Sequence, residues 1–288
     1  MIVVQIELIA VARVCEYVRS ANMESRDDDL RRFAAHGAAP LPTTNDRGYV
    51  ERDGAKIWYA AYGSGAPVIL LHGGLGHGGN WGYQVPMLVS SGHRAVLIDS
   101  RGHGRSTRDP RPYTYELMAA DVLAVMDALH LEKAPIVGWS DGACTALILG
   151  RQAPARVAGV FFFACNMDPS GTKTIEASPI LERCFHRHTQ DYAELSSTPD
   201  QFKTFAAAVG QMQKTEPNYS ARDLAEIHVP VAIVQGEHDE FIKLEHAEYL
   251  ARNIPGAKLI LLPGVSHFAP LQRPEQFNHV LRAFLFSI

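Results

Sequence analysis

Six short apolar runs recur between residues 67 and 264, and they restrict what the chain can fold into more than any other feature. They read "PVILLHGG", "RAVLIDSRG", "APIVGWS", "VAGVFFFAC", "PVAIVQGEHD" and "AKLILLPG". Most are separated by helix-length patterns such as "YELMAADVLAVMDALH" and "KLEHAEYLARNI". Buried strands alternating with amphipathic helices imply βαβ units around a mostly parallel sheet. Ahead of them, "YVERDGAKIWYAAYG" alternates about Asp53-Gly54, a hairpin signal. The rhythm breaks once. Residues 166–227 show no clear strand, only polar helical pieces carrying Phe185, Phe202, Phe205 and Met212, and they read as a small helical cap inserted over one edge of the sheet.

At 288 residues, 47% hydrophobic and 20% charged, the chain has an ordinary globular composition and can bury a large core. The formal charge of −4, with no cluster of Lys and Arg, argues against nucleic acid and for a small-molecule partner, and leaves the oligomeric state open. Cys15, Cys144, Cys165 and Cys184 are widely spaced, without a CxxC pair, as expected of reduced thiols in a cytoplasmic protein; Cys144 reads as core filler. The opening "MIVVQIELIAVARVCEYVRS" is interrupted by Gln5, Glu7 and Arg13, too broken for a membrane span and without a clear secretory signal. It reads as an amphipathic helix. Met23 is an alternative start, so residues 1–47 are taken as an N-terminal extension, accessory to a core formed by 48–165 and 228–288.

In a parallel sheet, ligands bind beyond the carboxyl ends of the strands, so chemistry is expected in the residues after each apolar run. Ser140, in "VGWSDGA", stands between a β-branched run and the helical pattern "ACTALILGRQ". A strand-to-helix turn this tight holds a serine in strained backbone with its hydroxyl exposed, and Gly138, Gly142 and Ala143 leave room for it. Ser140 is therefore expected to be a nucleophile, not a helix cap.

A serine hydroxyl needs a base, usually an imidazole oriented by a carboxylate. Of thirteen histidines, His267 is best placed, in a Gly-containing loop after the last apolar run and before the final helix. His72 is expected to order its own loop, and His77, His103, His186 and His188 to lie in polar surface positions. His186 and His188 lack a carboxylate cluster, so no metal site is expected. Asp239 directly follows its strand pattern and is favoured as the orienting acid; Asp168, after "VFFFAC", is the rival. Asp99 reads as a structural partner of Arg101. Oxyanion donors are expected from the N–H groups of Asp141, next to the nucleophile, and Gly74, in the "HGGLG" loop. That loop lacks a P-loop lysine and the spacing of a dinucleotide fingerprint.

With "HGG", "DSRGHGRS", "GWSDG", "GEHD" and "GVSHF" in this order, the sequence resembles the α/β-hydrolase fold family from about residue 48 to its carboxyl terminus. The resemblance implies an eight-stranded, mostly parallel sheet, a cap after the sixth strand, and Ser-His-Asp chemistry without a cofactor. Relatives with aspartate at the nucleophile position open epoxides or remove halides, and serine here argues against both. The expected activity is hydrolysis of esters or lactones through an acyl-enzyme. The alternatives are a non-catalytic receptor on the same fold, a carbon–carbon bond hydrolase, an acyltransferase and a cofactor-free perhydrolase. Trp81, Trp139, Met167 and Phe268 are candidates for an apolar pocket wall.

Overall fold

A computed structural model describes residues 28–176 and 178–288. The amphipathic helix expected over residues 1–20, and Cys15 within it, lie outside the described residues. Among the described residues no helix is long and apolar enough to cross a membrane.

The chain enters through helix α1 (Asp28–His36), then forms a hairpin of β1 (Arg47–Arg52) and β2 (Ala55–Tyr62). Asp53 and Gly54 between them take positive φ, 49° and 80°, as a two-residue turn compatible with strand twist requires. The succession continues with β3 (Ala66–Leu71), α2 (Gln84–Ser90), β4 (His93–Ile98), α3 (Tyr115–Ala128), β5 (Ala134–Trp139), α4 (Asp141–Gln152) and β6 (Val157–Phe163). Three helices follow without an intervening strand: α5 (Pro179–Leu195), α6 (Phe202–Thr215) and α7 (Ala221–Ala225). The chain closes with β7 (Val231–Gly236), α8 (Leu244–Asn253), β8 (Lys258–Leu262), α9 (Ala269–Gln272) and α10 (Pro274–Leu285).

The eight strands form one sheet in the order β1-β2-β4-β3-β5-β6-β7-β8. β1 and β2 pair antiparallel, as do β2 and β4; every other neighbouring pair is parallel. Side chains alternate across each strand, so one run feeds two cores. Ile69, Leu71, Ile136, Val160, Phe162 and Ile233 face α3, α4 and α8. Val68, Leu70, Val137, Phe161, Phe163 and Val234 face α2 and α10. Burial on both faces is why these strands appear in the sequence as continuous apolar runs.

Two consequences bear on the site. From β3 the chain moves to β4 on one side and then returns to β5 on the other, so the loops after β3 and β5 leave adjacent strands at the point where strand order reverses, the usual crevice for a ligand. The second concerns the extension: Leu30 and Phe33 of α1 are buried, and Phe33 meets the ring of His188 on α5 edge-on at 5.8 Å. From Asp28 onward it is part of the packed body.

Candidate active site

Ser140 lies between β5 and α4 with φ 53° and ψ −123°. For a residue with a Cβ this conformation costs roughly 1–3 kcal/mol and persists only where the surroundings enforce it. The enforcement is visible: the Ser140 N–H donates to Phe163 O at 2.9 Å, and Ala143 N–H donates to Ser140 O at 2.7 Å. A Cβ on Gly138 would collide with the Ala143 backbone, and one on Gly142 with that of Leu71, so both neighbours must be glycine. Ser140 occupies the N-cap position of α4, but its side chain makes no capping bond. The strained turn therefore serves something other than helix capping.

His267, in the loop between β8 and α9, places Nδ1 2.9 Å from Asp239 Oδ2, and both residues are buried. Asp239 Oδ1 accepts the N–H groups of Phe241 and Ile242, each at 2.8 Å, which holds the carboxylate in a turn after β7. The His267 N–H donates to Glu240 Oε2 at 3.0 Å. Burial disfavours the imidazolium, but the charge and hydrogen bond of Asp239, with the charges of Glu240 and Asp141, outweigh it and raise the His267 pKa above the ordinary value. The ring is walled by Phe241, Phe268 and Trp139 at centroid distances of 4.6, 5.8 and 6.2 Å.

The loop after β3 runs against the same turn. A Cβ on Gly73 would sit 3.2 Å from Ser140 Cβ, and one on Gly74 2.6 Å from Asp141 Oδ2. Among the described residues neither the Gly74 nor the Asp141 N–H has a hydrogen-bond acceptor. His72 accepts the Ser100 N–H at Nε2 (3.0 Å), which leaves Nδ1 to donate to Gly73 O (2.8 Å). It thereby ties the loops after β3 and β4 together.

Several expectations are corrected. Asp99 pairs with Arg105, not Arg101: its Oδ2 accepts from Arg105 Nη1 at 3.0 Å and its Oδ1 from Gly78 N at 2.6 Å. Arg101 instead holds Asp121 through Nε and Nη2 at 2.8 and 2.6 Å, because α3 brings that carboxylate against it. His103 and His188 are buried, not superficial, and burial lowers their pKa values to about 3 and about 4, and that of His72 to about 4. His186 is exposed, and His77, partly covered, faces Asp191 across 3.4 Å. Of the pocket candidates, Trp139 and Phe268 adjoin His267. Trp81 is fully buried against Trp139 and Phe277, and Met167 is fully buried in the core on the other face of the sheet, so neither exposes surface to a pocket. Cys144, Cys165 and Cys184 are buried, and none of the three is in a disulfide.

Sequence reasoning missed four neighbours of the site. Glu240 and Phe241 follow Asp239 directly, and the apolar residue after an acid in a strand-end loop was a usable signal. Tyr115 and Gln213 reach Asp141 from α3 and α6, and nothing local in the sequence marks them.

Comparison with known families matches residues 68–280 to the alpha/beta hydrolase family. Serine hydrolase BPHL of Homo sapiens is 28% identical over 265 residues, covering 86% of this chain and 89% of that protein. The 3-oxoadipate enol-lactonase 1 of Acinetobacter baylyi is 28% identical over 252 residues, covering 77% of this chain and 90% of the relative. Among solved structures, Est816, described as an N-acyl homoserine lactone degrading enzyme, superposes with a TM-score of 0.67 at 30% identity, covering 82% of this chain and all of that one. The sheet order, the strained serine turn and the family match agree: this chain belongs to the alpha/beta hydrolase family.

Proposed function

We propose that this protein hydrolyses carboxylic esters or lactones of small, largely apolar substrates through an acyl-enzyme on Ser140. The observation that carries the reading is the buried His267–Asp239 hydrogen bond beside a serine turn that neither caps its helix nor relaxes its backbone. His267 takes the Ser140 proton as the hydroxyl attacks the carbonyl carbon; Asp239 fixes the ring and stabilises its cation. The Gly74 and Asp141 N–H groups hold the developing oxyanion, His267 returns the proton to the leaving alkoxide, and water, deprotonated by the same histidine, releases the acid. Trp139, Phe241 and Phe268 give the site an apolar wall. The names of the enol-lactonase and of Est816 support lactones alongside open esters.

The test is a screen of the purified protein against 4-nitrophenyl esters of two to twelve carbons and against lactones of increasing ring size, with Ser140→Ala alongside. Turnover that falls on the order of 10⁴-fold or more in Ser140→Ala supports the reading. Absence of turnover across the panel favours a non-catalytic receptor or a carbon–carbon bond hydrolase.

A further inference from the structure

The carboxyl group of Asp141 is buried at the first residue of α4, directly after Ser140; among the described residues no cation forms an ion pair with it, and the charge of His267 acts on it without a direct contact. It is instead held by two neutral donors from distant parts of the chain. Tyr115 Oη, on the first residue of α3, donates to Oδ1 at 2.8 Å. Gln213 Nε2, on α6, lies 3.1 and 3.0 Å from Oδ1 and Oδ2. The two donors are themselves joined, because Glu216, one residue past α6, accepts the backbone N–H of Tyr115 at 3.1 Å. Tyr115, Asp141, Gln213 and Glu216 therefore close a ring that fastens α6 to both α3 and the serine turn.

The ring also reaches Gly74. A Cβ there would lie 2.7 Å from Gln213 Nε2 and 2.6 Å from Asp141 Oδ2, so the loop after β3 passes directly under the Gln213–Asp141 pair. The two N–H groups assigned above to the oxyanion belong to Gly74 and Asp141. Both are thus set by one polar cluster whose outermost member, Gln213, is exposed.

Resting on the proposed hydrolase reading, we infer that Tyr115 and Gln213 are positioning residues: they clamp the Asp141 side chain so that its backbone N–H keeps its aim at the oxyanion, and they make that aim depend on α6 being docked. A donor misplaced by a fraction of an ångström stabilises the transition state less while leaving ground-state binding nearly intact. The signature is loss of kcat without a matching rise in KM.

The experiment compares the parental protein with Tyr115→Phe, Gln213→Ala and Gln213→Glu in two assays, 4-nitrophenyl acetate turnover and the rate of covalent labelling by a fluorophosphonate, with thermal melts as a fold control. Tyr115→Phe and Gln213→Ala should label and turn over about tenfold more slowly, with KM within about twofold of parental. Gln213→Glu sets a second carboxyl against Asp141. At low pH the pair shares a proton and keeps the clamp; as pH rises both ionise and repel. Above the pH at which His267 is deprotonated in both proteins, so that its titration does not enter the ratio, the rate relative to parental should therefore fall as pH rises, a trend that a purely structural role would not produce. Parental rates in all three variants, with a flat Gln213→Glu ratio, overturn the inference alone. A parental protein that neither labels nor turns over overturns the hydrolase reading and this inference with it.

Discussion

Asp168 Oδ2 lies 3.7 Å from Nδ1 of His246, on α8, and not against His267. His246 Nε2 accepts the Met167 N–H at 3.0 Å, while its Nδ1 faces Asp168, so this histidine holds the loop after β6. The two carboxylates that followed strand patterns have thus been given separate histidines. Asp239→Asn should lower ester turnover by on the order of 10³- to 10⁴-fold, because an amide does not stabilise the imidazolium. Asp168→Asn should leave turnover within about threefold. Steady-state rates on one ester decide it, and the opposite ranking moves the orienting role to Asp168.

A second prediction follows from the charge around His267. Its raised pKa means that the base is protonated, and idle, up to a pH above the ordinary histidine value of 6.5. The acidic limb of kcat/KM should therefore have its midpoint above 6.5, with activity growing as pH rises through it. Glu240→Gln removes one of the charges that raise the value and should move the midpoint down. A midpoint below 6.5 in the parental protein refutes this account of the site.

What could be read before the structure was largely what is periodic or follows a strand. The apolar runs identified the sheet because burial on both faces leaves few polar residues in β3, β5, β6 and β7, and Ser140, Asp239 and His267 could be singled out because each comes soon after such a run. What escaped was side-chain partnership between distant segments. Gln213 and Asp141 are 72 positions apart, and no local pattern links them. Polarity also misled: α5 turns Leu181, Cys184, His188, Asp191 and Tyr192 inward, a helical face that alternates apolar residues with His and Asp and so looks solvated in sequence.

That inward polar face should make the protein lose stability in acid. His188 is buried near His72 and His103, with the partly covered His77, Asp191 and Arg187 beside it, and its Nδ1 has no hydrogen-bond partner among the described residues. Burial is the main cause of its depressed pKa, opposed by Asp191. With a folded value of about 4 against 6.5 when unfolded, the unfolded chain binds the proton first. Stability should fall as pH drops from about 6.5 toward 4, by on the order of 3 kcal/mol from this residue. His188→Phe removes one titrating ring of similar size and should flatten the decline of Tm between pH 7 and pH 5, leaving the share of His72 and His103. An unchanged slope would show that His188 does not titrate as its burial requires.

The last prediction concerns how α5 and α6 affect substrate choice. Phe202 and Phe205 belong to the helical segment inserted between β6 and β7, and Phe205 is completely buried. Its ring stacks on Tyr192 at 4.7 Å and meets His103 edge-on at 4.7 Å, with Tyr113 at 6.3 Å. Phe202 packs edge-on against the same Tyr192 at 5.6 Å. These rings fasten α5 and α6 to the body, while the polar end of α6 reaches the serine turn through Gln213. Phe205→Ala removes a fully packed ring and should destabilise the protein by about 3–5 kcal/mol, read as a lower midpoint of denaturant unfolding. At a temperature where the variant remains folded, its ratio of kcat/KM between acetate and octanoate esters should stay within about twofold of parental. A large shift in that ratio, with little loss of stability, would place Phe205 in the pocket and make the aromatic side of this segment, not its polar end, the part that selects substrate.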